Sequence, residues 1–499
     1  MTNIASNQLV FAGWILLITY MVVILFIVIR GARKTKTIAD YAVGSVNFSP
    51  YAVGFSLAAS MTSAATFIIN PGIIALYGIS GVISYGIVLP IAALTSLVIL
   101  TKGFRKYGKS VKALTLAQWI GERYGSKAYK LFMAFISLLL ITFIVLINVG
   151  LTKVISKTLN IEEIYVLIGL TVFIFGYMMF GGANSMVYTN TIQAVLMLVV
   201  AFILLGSGYH HFSNGVHGFI EELHNIDPKL VQTTNASSFL FRDFYEIVIA
   251  QIIVGVAIVC QPHIITKSLL LKKEKDVNKY LIVSVITELI FFAIVFVGLY
   301  ARLAFPNLKV NGVPLKLDGI VSAYVVKEFP VYIGLVVVTG LISAGLSTLE
   351  GLIQSISSTI TNDIIQPLFL KNKTEKTIAV NRIVIILLGI VSAILSYNQL
   401  VNPKLSVAIF AQNGVYAFFA AAFIPILLGM FSTKINKSVP IFASVTAIVV
   451  HFSMYYGKFA VPFTKATGEN PGVAAAVAII ASIIVALVMY KFTKGTDHE

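Results

Sequence analysis

Ser56-Leu57-Ala58-Ala59-Ser60-Met61-Thr62-Ser63-Ala64-Ala65-Thr66-Phe67, with Asn70-Pro71-Gly72 close behind, lies inside an apolar run covering 50–76. A helix that crosses a bilayer needs about 20 apolar residues, so this run is long enough to span. It carries too many hydroxyls and small side chains for a plain span. A second run of the same kind, Gly340-Leu341-Ile342-Ser343-Ala344-Gly345-Leu346-Ser347-Thr348-Leu349-Glu350-Gly351, sits inside a span over 331–361. The plainer reading is close helix packing, because small residues let backbones approach and hydroxyls bond across helices. The functional reading is an unwound backbone at the bilayer midplane, where freed carbonyls and half-helix ends hold a cation. Hydroxyl and carbonyl oxygens suit a hard ion such as Na+ without burying several carboxylates.

The rest of the chain has the composition such spans require. Of 499 residues 58% are hydrophobic and 11% charged, with a mean hydropathy of +0.92. A soluble domain would carry about 25% charge. The fold class is therefore all-α integral membrane, with apolar segments expected at 9–29, 50–76, 82–101, 131–151, 163–181, 188–208, 245–266, 280–303, 331–361, 380–397, 406–430, 439–456 and 471–490. The run Leu9–Ile29 lacks the flanks of a cleaved signal peptide and reads as a mature helix.

A net charge of +16 invites a nucleic-acid partner, but the basic residues form short clusters between apolar runs, as topology signals do. With the amino terminus outside, successive inner stretches hold Arg30, Arg33, Lys34 and Lys36, then a cluster from Lys102 to Lys130, then Lys267, Lys272, Lys273, Lys275 and Lys279. Lys371, Lys373, Lys376 and Arg382, then Lys434 and Lys437, then Lys491 and Lys494 continue the alternation to a cytoplasmic carboxyl terminus. A multi-pass protein of the cell (plasma or inner) membrane is expected, whose partners are the lipid bilayer and a small solute, with no nucleic acid. The sequence leaves the oligomeric state open, a monomer included. The single cysteine, Cys260, excludes an intramolecular disulfide and a Cys-rich metal site. Residues 113–128, with Leu116, Trp119 and Ile120 beside Glu122 and Arg123, predict a short interfacial helix on the inner face. In the outer loop 209–244, Asn235-Ala236-Ser237 matches a glycosylation sequon, and a chance match is the expected meaning.

Four stretches together resemble the sodium–solute symporter family, whose members carry proline, pantothenate, monocarboxylates, sugars or sialic acids. They are the Ser60-x-x-Ser63-Ala64-Ala65-Thr66-Phe67 run, the junction from Phe180 to Gln193, similar to G-G-x-x-x-V-x-x-T-D-x-x-Q, the sequence Gln261-Pro262-His263-Ile264-Ile265, and the A-x-x-S-T pattern at Ala344-x-x-Ser347-Thr348. The likeness covers roughly 9–430. It implies a LeuT-type core of two inverted five-helix repeats, at 46–208 and 245–430, with segments two and seven broken. The first helix (1–45), the outer loop (209–244) and the last two helices (431–499) lie outside it. The resemblance implies a Na+ site built from carbonyls of Ala59, Thr62 and Ala344 and hydroxyls of Ser347 and Thr348. Na+ would be the driving ion, with no organic cofactor.

Two positions depart from the family pattern. The T-D-x-x-Q aspartate, which in some relatives helps hold a further sodium ion, is Asn190 here, and Glu350 stands two residues after Thr348. A mid-span carboxylate costs about 2.5–3.5 kcal/mol on insertion scales, so it marks function or a protonated, hydrogen-bonded acid. Asn190 and Glu350 are thus candidates for a second ion site. Glu288 awaits a partner, and His263 beside Lys267 reads as a satisfied histidine at the inner interface. Pro262 is expected to kink the inner end of the seventh segment. Candidate solute-binding groups are Asn70, Gln251 and Gln261. Val254 and Ile258 replace the aromatics of proline-type members, so a small monocarboxylate or pantothenate-like anion is favoured over an amino acid or sugar. A proton-coupled transporter is the nearest alternative. A channel would need a filter or pore ring, a sensor an appended soluble domain, and an enzyme clustered His, Cys or carboxylates; none of these patterns is visible.

Overall fold

The computed structural model describes residues 7–111, 113–310, 312–370, 376–402, 407–432 and 435–495. Lys112, Lys371, Lys373 and Lys434 of the expected inner stretches lie outside the described residues. Ten of the described helices are long and apolar enough to cross a membrane, and two further spans are helix pairs bent at a short break. The fifth expected segment is the 16-residue helix Glu163–Met178, shorter than the length a span ordinarily needs.

Both broken spans have a local cause. Pro50–Met61 and Ala65–Tyr77 meet at 56°, and Tyr245–Ile258 and Pro262–Leu270 meet at 57°. Thr62 leaves the helix in an extended conformation (φ −95°, ψ 108°). The Ser63 hydroxyl then accepts from the Ala65 amide at 3.1 Å and caps the outgoing half. In the seventh segment the residue before proline is steered out of the helical region, and Gln261 is extended (φ −69°, ψ 138°). Pro262 therefore does not kink a continuous inner end. It opens a new half-helix, where its missing N–H costs nothing.

The ninth segment follows the plainer of its two readings. Val331–Thr359 is one unbroken helix despite its small residues. A Cβ at Gly340 would meet Val200 at 2.4 Å, and one at Gly345 would meet Leu151 at 2.6 Å. Here the small side chains serve packing rather than interruption. The helix is buried along most of its length and packs against the second, fourth and sixth segments, so it forms the axis of the core.

The short helix Leu116–Arg123 is also reassigned. Leu116, Trp119 and Ile120 are buried inside the protein rather than laid in lipid, and Trp119 packs on Phe104 with ring centroids 4.9 Å apart. Arg123 donates to the carbonyls of Gly429 and Ser432, satisfying the end of the Val407–Phe431 helix. Asn235 is buried, donates to the Tyr77 carbonyl at 3.2 Å and accepts from Ser237, so the sequon side chain is a loop staple and unavailable to a glycan.

Candidate functional site

The break at Thr62 faces the middle of the ninth segment. Ala344, Ser347 and Thr348 stand at i, i+3 and i+4, so one helix face presents them together. Ser347 Oγ lies 2.7 Å from Ala59 O and 3.1 Å from Ala344 O. Thr348 Oγ1 lies 3.3 Å from both Thr62 O and Ala344 O. All five positions are buried. Three carbonyls and two hydroxyls thus converge between two helices, and none carries a charge. When no ion is present the hydroxyls donate to the carbonyls. If their protons turn away, all five oxygens can face a hard monovalent cation. The nearby acidic side chain is Glu288, whose Oε2 accepts from the Thr62 hydroxyl at 2.8 Å. Its other oxygen is buried and has no partner among the described residues.

Glu350 projects from another face of the same helix, toward the fifth and sixth segments. Its Oε1 accepts from Tyr177 Oη at 2.7 Å and Gln193 Nε2 at 3.2 Å, and its Oε2 from Thr189 Oγ1 at 2.6 Å. The Asn190 amide, oriented by its neighbours, donates to Glu350 Oε2 and Gln193 Oε1 at 3.0 Å each. Four donors on two oxygens suit an ionised carboxylate. The Asn190 carbonyl turns the other way and accepts from Lys267 Nζ at 3.1 Å. The structure therefore brings Asn190 and Glu350 together, and it adds a lysine to them.

Lys267 is not on the solvated inner surface where the charge alternation put it. It is buried, and its ammonium donates to Ser56 O and Oγ at 2.7 Å each and to Ser60 Oγ at 2.5 Å. Ser60 Oγ in turn lies 3.3 Å from the Ser347 carbonyl, so the two polar clusters share a wall. Sequence reading missed Lys267, along with Tyr177, Thr189 and Gln193. One signal was available: Lys267 follows Ile264-Ile265-Thr266 and precedes Ser268-Leu269-Leu270-Leu271, whereas Lys272 and Lys273 form an exposed polar pair.

The remaining candidates do not gather. Asn70 is half-buried at the outgoing side of the break. Gln261 is buried and donates to Ile258 O at 3.1 Å. Gln251 turns its amide toward Gly472 at the start of the last helix, and no hydrogen bond among the described residues joins it to Asn70 or Gln261. His263 is buried, and its Nδ1 has no partner among the described residues, so it is not the satisfied interface histidine expected. With Lys267 and Gln354 it lines a cleft with only about 20 Å³ of free space, room for roughly one water.

This geometry has relatives. The chain is 25% identical to the sodium/pantothenate symporter of Haemophilus influenzae, over 85% of each chain. It is also 25% identical to the sodium/pantothenate symporter of Escherichia coli, over 88% of this chain and 89% of that one. Among solved structures, a substrate-bound, outward-open Na+-coupled sialic acid symporter superposes with a TM-score of 0.78 at 18% identity, covering 95% of this chain and 97% of that one. That match shows the fold, a LeuT-like arrangement. The family model for the sodium:solute symporters matches residues 41–447, from before the first broken helix to beyond the last core helix, and the chain belongs to that family.

Proposed function

We propose that the protein carries a small organic anion, of the monocarboxylate or pantothenate kind, across the cell membrane together with Na+ by alternating access. The observation that carries the ion assignment is the convergence of the Ala59, Thr62 and Ala344 carbonyls on the Ser347 and Thr348 hydroxyls across a helix break. Such breaks place carbonyls at membrane depth without lipid exposure, which is how transporters hold a dehydrated cation. Glu288, one hydroxyl away, places a carboxyl close to the site. The anion class is supported by the two pantothenate symporters, similar along most of their length, and by Val254 and Ile258 where proline-type members carry aromatics.

Proton coupling is the second reading, and the partnerless buried oxygen of Glu288 favours it. One experiment separates the two. Purified protein in liposomes is offered labelled pantothenate and short monocarboxylates under an imposed Na+ gradient or an imposed H+ gradient. Uptake driven by Na+ alone supports the first reading; uptake driven only by H+ removes it. Orientation is tested separately, with Cys260 first replaced. A cysteine at Ser213 should label from outside and one at Lys273 from inside, in keeping with an external amino terminus.

A further inference from the structure

Members of a membrane core rarely bury a lysine unless it is fully bonded. Lys267 is so bonded: four oxygens, Ser56 O, Ser56 Oγ, Ser60 Oγ and the Asn190 carbonyl, surround its ammonium. Carbonyl and hydroxyl oxygens of this kind are also what a hard metal cation selects. Across the Asn190 amide stands Glu350, with four donors and no metal-like partner. The cluster is therefore a cation pocket with its counter-charge in place, and the pocket is filled by the protein's own side chain.

We propose that the Lys267 ammonium is the resident cation of this second pocket, so that the protein binds and carries one Na+, at the Ser347–Thr348 site, rather than two. The inference rests on the Na+-symport reading above. Removing the lysine side chain opens the four-oxygen pocket next to an uncompensated Glu350, and a free Na+ then takes its place. Lys267 lies on the inner half of the seventh segment, beyond the break at Gln261. The tethered cation is thus attached to a half-helix, whereas Asn190 and Glu350 sit on the continuous sixth and ninth helices. Ser60 joins this pocket to the Ser347 carbonyl. Displacement of the half-helix pulls the ammonium from its pocket and disturbs the wall of the Na+ site at the same time.

The test counts bound ions, using radiolabelled Na+ as the probe and no solute. Wild-type protein in nanodiscs should saturate at one Na+ per chain, Lys267→Ala at two, and Lys267→Ala with Glu350→Gln at one again. Adding Ser347→Ala and Thr348→Ala to Lys267→Ala should leave one, which distinguishes the two sites. Two ions on the wild type, or no gain in folded Lys267→Ala, overturns the proposal. Should Lys267→Ala fail to fold, the wild-type count alone still decides. If the wild type binds none while Lys267→Ala binds one, the Ser347–Thr348 assignment falls and the resident-cation proposal survives.

Discussion

Toward the second segment, the ninth helix presents Ser347 and Thr348 to carbonyls left free at a helix break. Toward the fifth and sixth, it presents Glu350 to a ring of donors that leads through Asn190 to Lys267. The first region is neutral, and its groups satisfy one another through hydroxyl bonds that cost little to exchange for an ion. The second holds opposite full charges away from water. Desolvating each charge is expensive, so losing one partner leaves a large uncompensated penalty. The difference teaches which region is suited to turnover: a site that fills and empties every cycle cannot leave a bare buried charge behind each time.

The sharpest way to break this comparison is Glu350→Gln, which strands the Lys267 ammonium. Removing one member of a buried pair costs about 3–5 kcal/mol, so melting of the purified protein should fall markedly, and Lys267→Met added to it should recover most of the loss. Wild-type melting in the single variant would show that the pair is not charged. Ser347→Ala should behave in the opposite manner. A hydrogen-bonding group facing a charge contributes about 1.5–3 kcal/mol, so half-saturating Na+ should rise roughly tenfold or more while melting holds. Glu288→Gln keeps the Thr62 contact and removes a carboxyl that can ionise when a cation arrives beside it. An effect of about 1 kcal/mol, roughly fivefold in Na+ affinity, is expected. No change would mean that Glu288 does not act on the ion.

These contrasts were unevenly legible in the sequence. The break at Thr62 could be read because hydroxyls and small residues are concentrated where a plain span would have Leu and Ile. The same criterion did not decide the ninth segment, since small residues equally permit the close approach of Val200 and Leu151 to an intact helix. Amphipathicity likewise marked Leu116–Arg123 as a helix with an apolar face without telling lipid from protein as the cover. Asn190 and Glu350 stood out as paired departures from a family pattern. Lys267 did not, because counting basic residues for topology treats every lysine as solvated. Only the fold brings it back under the second segment, to Ser56 and Ser60.

The smallest expected effect comes from moving the carboxylate back to the sixth segment. In Asn190→Asp with Glu350→Ser the buried charge count is unchanged, and the new carboxylate stands where the amide oxygen now lies 3.1 Å from Lys267 Nζ. The ammonium gains a direct partner in place of one bridged by an amide, which offsets the acceptor that Thr189, Gln193 and Tyr177 lose when Glu350 is removed. Their hydroxyls and amide are left to one another, to Tyr20 and to the new serine. Melting and Na+ affinity at the neutral site should therefore stay close to wild type. Glu350→Ser alone should be strongly destabilised, and Asn190→Asp alone should crowd a second carboxylate against Glu350. The comparison holds if the double variant is far better than either single one, because what the second region then requires is one carboxylate within reach of Lys267, whichever helix supplies it. If the double variant is as poor as Glu350→Ser, the four donors matter more than the lysine, and Lys267 loses its place as the balancing charge.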